Sequence, residues 1–172
     1  MTTFVTLKKP TLDDLDFIQW LWGDAQTMEP VGGIISLSDD QARKWFSKMV
    51  SPGSVSDSYR IILNQERTPI GEVSFHRLDF DSMTADFNIK IAYKYRGQGF
   101  ALQAMDLFLD YFFNQCGGQI MQDQVAKNNL VGKTVLLKFG FVEIPTDEDY
   151  FLLVLCKERF NELQVSKNEE AC

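Results

Sequence analysis

Seven consecutive residues, Tyr95-Arg96-Gly97-Gln98-Gly99-Phe100-Ala101, have the composition of an anion site placed between a strand-like and a helix-like run. A helix start leaves about four backbone N–H groups without intrahelical partners and carries partial positive charge, and glycine removes the Cβ that would keep an anion away. Gly97 and Gly99, alternating with Arg96 and Gln98, let the chain turn sharply while amides point inward and Arg96 adds charge. That suits a pyrophosphate, although the pattern alone also describes an ordinary tight turn. Two other phosphate loops are excluded: the chain has no complete Walker loop, and the third glycine of a dinucleotide fingerprint is missing, as is the repeated βαβ pattern around it.

The elements on either side must position this turn. Ala85 to Ala92 just before it, like Tyr59 to Leu63 and Ile70 to Phe75, is a β-rich run bounded by polar turns, and such strands with short connections imply an antiparallel meander. After the turn, Leu102, Met105, Leu109 and Phe112 keep helical spacing, with Gln103, Asp106, Asp110 and Asn114 on the opposite face and Gly117-Gly118 as the stop. Gln119 to Val125 reads as a strand, Asn129 to Phe139 as a helix ending at Gly140, and Phe141 to Ile144 and Tyr150 to Cys156 as closing strands. Upstream, Phe4, Val5 and Leu7 suggest a first strand. Thr11 with Asp14, and Ser38 with Gln41, are capping-box signals for two helices, and Asp24 to Leu37 between them reads as a loop. On this reading residues 1–163 form one domain and 164–172 a polar, frayed tail.

With 172 residues, 45% hydrophobic content and 14 phenylalanines, the chain can bury a sizeable core. A net charge of -7 argues against nucleic acid and anionic membranes as partners and favours cationic substrates. Cys116, Cys156 and Cys172 lack metal or redox spacing and His76 has no partner at ligand spacing, so neither a metal site nor a disulfide framework is expected. No apolar run is long enough to span a bilayer and the N-terminus lacks an apolar signal core, which points to a soluble, reduced, cytoplasmic protein.

The order strand, two helices, three antiparallel strands, glycine turn, long helix, strand, helix, two strands resembles the GNAT family of acyl-CoA-dependent N-acetyltransferases. Arg96, Gly99 and Ala101 match its pyrophosphate loop, and Asn129 through Gly140-Phe141 looks like its Asn-led helix ending in Gly-Phe. The N-terminal third looks most like the branch of ribosomal-protein N-terminal and spermidine acetyltransferases. The resemblance implies an α/β (α+β) fold: a twisted, mostly antiparallel mixed sheet of about six to seven strands, flanked by about four helices. It also implies acetyl-CoA as cosubstrate without a metal, and acetyl transfer to a small amine or a protein N-terminus by direct attack. Family members are often dimers.

Residue roles follow from the same resemblance. Arg96, Gly97, Gln98, Gly99, Phe100 and Ala101 would hold the pyrophosphate, and the backbone of Ile89, Lys90 and Ile91 the pantetheine arm. Asn129 would bond that arm or simply cap its helix, while Lys133 and Lys138 would reach phosphates or stay solvated. Asp86 falls where many members place a glutamate base, with Glu72 the second choice. Glu29, with Asp86, would attract the amine. Leu136 stands where many members carry a tyrosine that protonates the departing thiolate. This departure leaves water or Tyr150 as the acid, or a catalytically inactive acyl-CoA-binding module as the alternative function.

Overall fold

Two capping arrangements start the N-terminal helices where the sequence places them. The Thr11 amide donates to the Asp14 carboxylate at 2.7 Å, and Ser38 and Gln41 cap each other reciprocally at 2.9 and 3.3 Å. The computed structural model describes residues 4–170. In chain order these form β1 (Thr6–Lys8), α1 (Leu15–Gly23), α2 (Ala25–Met28), α3 (Asp39–Met49), β2 (Ser58–Leu63), β3 (Pro69–Asp79), β4 (Thr84–Ile91) and α4 (Phe100–Asp110). They continue with β5 (Ile120–Ala126), α5 (Leu130–Phe139), β6 (Val142–Ile144), β7 (Tyr150–Cys156) and α6 (Lys157–Glu170). Among the described residues no helix is long and apolar enough to cross a membrane.

The strands make one seven-stranded sheet in the order β1-β2-β3-β4-β5-β7-β6, antiparallel except for the β4–β5 pair. Side chains alternate between its faces. One face packs under α4, α5 and α6 around an aromatic cluster that includes Phe75, Phe87, Phe108, Phe112 and Phe160. The other is covered by α1 and α3 through Ile18, Leu21, Phe46, Tyr59 and Ile61.

Two expectations change. The segment Asp24 to Leu37 is not all loop: Asp24 accepts the Thr27 amide at 3.0 Å and so caps α2, which runs into a 3-10 turn at Glu29–Val31. On α1 the Trp20 side chain is 46% exposed, with the Lys94 ammonium 5.4 Å above its ring. Residues 164–170 are not a loose tail but the second half of α6. There Gln164 and Lys167 donate to Asp106 of α4, and Phe160 anchors the first half in the core.

Candidate active site

β4 and β5 pair only from Thr84↔Ile120 to Asp86↔Gln122, and then part. Each keeps its other neighbour: β3 pairs with β4 as far as Ile91, and β7 with β5 as far as Ala126. Only their facing edges are left open, around a groove of about 690 Å³ floored by Val135 and Leu136 of α5. In an antiparallel ladder alternate residues bond the same neighbour. Ala92 donates to Ile70 at 2.9 Å, so the backbone groups of Lys90 and Asn88 also face β3, and those of Phe87, Ile89 and Ile91 face the gap. Of the three strand positions expected to meet the ligand, Lys90 is therefore already used by the sheet.

The glycine turn closes one end of the groove. Gly97 and Gly99 have φ of +75° and +82°, the left-handed region that favours glycine, and an added Cβ at either would meet nothing within 4 Å. The amides from Gly97 to Leu102 have no backbone acceptor among the described residues. An open cradle of unpartnered amides at a helix start fits a pyrophosphate. Phe100 contributes only backbone, because its ring is in the core; the Gln98 side chain is exposed outside the groove wall.

Arg96 does not aim at the cradle. Its Nε donates to the Ile91 carbonyl at 2.9 Å and its guanidinium to the Thr27 carbonyl at 2.7 Å, so it straps α2 to the end of β4. Burial lowers its pKa, against the nearby Asp24 and Tyr93, yet a guanidinium stays charged. Arg96→Met should cost about 2 kcal/mol of stability, read by chemical denaturation, because two carbonyls lose a charged donor.

Glu72 is buried, and both its oxygens are engaged by the protein. One oxygen takes the Lys90 ammonium at 2.8 Å; the other takes Trp22 Nε1 at 2.8 Å and the Tyr59 hydroxyl. Lys90 in turn donates to Asn88 at 2.7 Å. Burial, and then the Glu72 charge, push the Tyr59 pKa well above its ordinary value, so its hydroxyl remains a donor. Asp86 is also engaged: Arg77 Nε donates to one oxygen at 2.6 Å and Gln122 to the other at 2.9 Å.

A second cavity of about 300 Å³ adjoins the groove, with Asp86, Arg77 and His76 in its wall. His76 is not isolated: Asp57 lies 3.2 Å from Nδ1 and Ser74 2.8 Å from Nε2. Asp123 on β5, which the sequence reading passed over, borders both spaces. Burial, and then the Asp86 charge, raise its pKa to about 7, against the pull of Lys90. The folded protein thus binds more protons than the unfolded chain between about pH 4 and 7, so Asp123 subtracts stability as pH rises through that window. A detectable signal existed: Met121 and Val125 are buried on alternate positions of β5, and Asp123 occupies the same register between them.

The remaining expected residues divide. Asn129 borders the groove while its Oδ1 accepts the Gly132 amide at 2.9 Å, so it caps α5. Lys133 is held at 2.7 Å by Glu143 and lies over the Phe151 ring, outside the groove wall, whereas its neighbour Gly132 borders the groove. Lys138 does border the groove. Glu29 is exposed; it is the next residues, Pro30 to Gly32, that meet the groove. Tyr150, Cys116 and Cys156 line neither space, and Cys172 lies outside the described residues. No group of three or more metal-type side chains occurs among the described residues.

A family model for the acetyltransferase (GNAT) domain matches residues 5–142. The chain belongs to this GNAT acetyltransferase family. It is an acyltransferase by that membership and by its relatives. This GNAT chain is 22% identical over 152 residues to an uncharacterized N-acetyltransferase, p20, of Bacillus licheniformis, covering 87% of this chain and 85% of p20. It aligns with the crystal structure of spermidine N-acetyltransferase from Vibrio cholerae in complex with CoA and spermine at a TM-score of 0.81 and 20% identity, over 91% of this chain and 98% of that one. A dodecameric structure of spermidine N-acetyltransferase from Vibrio cholerae gives 0.75 at 21% identity, over 91% and 95%. These likenesses establish the fold of this GNAT acetyltransferase.

Proposed function

We propose that this acyltransferase moves an acetyl group from acetyl-CoA to a primary amine, with polyamines as the acceptor class. The observation that carries the reading is the parting of β4 and β5 over a groove that ends in unpartnered amides. Those amides, from Gly97 to Leu102, would hold the pyrophosphate, and the gap-facing backbone of Ile89 and Ile91 would pair with the pantetheine arm as an added strand does. The Ile91 carbonyl is already taken by Arg96, which leaves its amide and both groups of Ile89 for that pairing. Acetyl-CoA bound there supplies the activated acetyl group. A backbone amide of the gap, Ile89 foremost, is placed to donate to a carbonyl oxygen that gains negative charge.

The amine enters from the smaller cavity, where Asp86 and Asp123 draw cations, helped by a net charge of -7. The likeness to spermidine acetyltransferases supports a polyamine over a peptide N-terminus, and the dodecameric one supports assembly into several copies. A thiol-release assay with acetyl-CoA and a panel of spermidine, spermine and free-N-terminal peptides tests the reading. Turnover should be fastest with the polyamines. The second reading, an acyl-CoA-binding module without turnover, is favoured by Leu136, a buried side chain of the groove floor that cannot donate a proton. Thermal stabilisation by acetyl-CoA with no amine acetylated would select it; no stabilisation by any acyl-CoA would sink both.

A further inference from the structure

Three residues, Asn88, Asp123 and Gln124, border both the large groove and the smaller cavity. A donor lying in one space and an amine entering from the other must meet at this shared wall. Asp123 is the one residue of the three with an ionisable side chain. The neighbouring acids are committed elsewhere, Glu72 to Lys90, Trp22 and Tyr59, and Asp86 to Arg77 and Gln122. Asp123 has no side-chain partner of this kind among the described residues; only the Gln124 amide approaches its carboxylate.

We propose that Asp123 performs both proton transfers of the acetyl transfer, taking a proton from the incoming amine and returning it to the departing sulfur. The proposal rests on the acetyl-transfer reading above. An ammonium ion loses two protons on becoming an amide. One passes to the Asp123 carboxylate, and the freed nitrogen lone pair forms the new bond to the acetyl carbonyl carbon. The carbon–sulfur bond breaks with its electron pair leaving on sulfur, and the proton on Asp123 moves to that sulfur. The second ammonium proton goes to solvent, so one proton is released for each thiol formed.

The geometry explains how the reaction proceeds with Leu136 in the groove floor, since an acid in the wall of both spaces reaches nucleophile and leaving group alike. The energetics agree. A carboxyl near 7 accepts from an ammonium less readily than it gives to a thiolate, whose ordinary pKa is about 8.5. The charged groups facing Asp123 are Asp86 and Lys90 of β4; Arg77 and His76 share the smaller cavity, and Arg96 and Lys138 the groove.

The test combines Asp123→Asn with two amines, spermidine and 2,2,2-trifluoroethylamine, the latter already neutral at pH 7. With spermidine the variant should lose roughly 100-fold or more in kcat/KM and recover partly as pH rises, whereas with trifluoroethylamine the loss should be about tenfold or less. Acetyl-CoA binding, measured by calorimetry, should not change. In the unaltered protein without ligand, the carbon-13 signal of the Asp123 carboxyl should titrate near neutral pH. Equal losses with both amines, or a carboxyl titrating in the ordinary range near about 4, overturn the role of Asp123 and leave acetyl transfer standing. Unaltered protein that acetylates no amine overturns the acetyl-transfer reading itself.

Discussion

Gly99→Glu is expected to remove measurable acetyl-CoA binding while the protein stays folded. At φ +82° a side chain costs about 1 kcal/mol of backbone strain, and the Cβ itself meets nothing within 4 Å, so no part of the core is displaced. A carboxylate at the start of α4 is even favourable for the helix, because it answers the same unpartnered amides. That is the reason binding fails: the glutamate covers the donors and repels a pyrophosphate. Losing two charge-assisted hydrogen bonds, at about 1.5–3 kcal/mol each, predicts a drop of more than roughly 100-fold. Calorimetric titration with acetyl-CoA measures it, and Gly99→Ala separates strain from charge by keeping most of the affinity. An affinity unchanged by the glutamate would show that the turn holds no phosphate.

The second large effect concerns stability. Glu72→Ala strands the Lys90 ammonium, the Trp22 N–H and the Tyr59 hydroxyl in a site where the Glu72 and Lys90 side chains are 2% and 10% exposed. Breaking a buried ion pair from one side costs about 3–5 kcal/mol, which for a chain of this length lowers Tm by roughly 10 °C. The double variant Glu72→Gln with Lys90→Met should recover a large part of the loss, because no charge is left unpaired. A single alanine variant that melts within about 2 °C of the parent would mean that water repairs the site.

How legible these features were depended on whether they are local. The turn at Gly97 and Gly99, the Ser38 cap and the Asn129 cap are short-range patterns of residue type, and each sits in the structure as its spacing implies. Arg96 borders the groove beside the turn, yet its side chain bonds the protein itself. Its acceptors are carbonyls, one of them at Thr27, far back in the chain. Glu72 reads as an available acid until Trp22, Tyr59 and Lys90, brought together from α1, β2 and β4, are seen to use both its oxygens. Asp123 offers only a faint signal, an acid in the register of Met121 and Val125; its surroundings are made by two strands that first pair and then part.

The open edge of β4 has a consequence for how this sequence can drift. What the groove offers along that strand is peptide groups whose direction is set by counting residues from Ala92, while Phe87, Ile89 and Ile91 pack into one core and Lys90 pairs with Glu72. Substitution between Phe87 and Ile91 leaves the count intact. Insertion or deletion of one residue would exchange the inward and outward peptides and turn the donors of the gap into the sheet. The length of the strand is therefore fixed by its peptide groups, separately from the demands that Phe87, Lys90 and Ile91 make through their side chains.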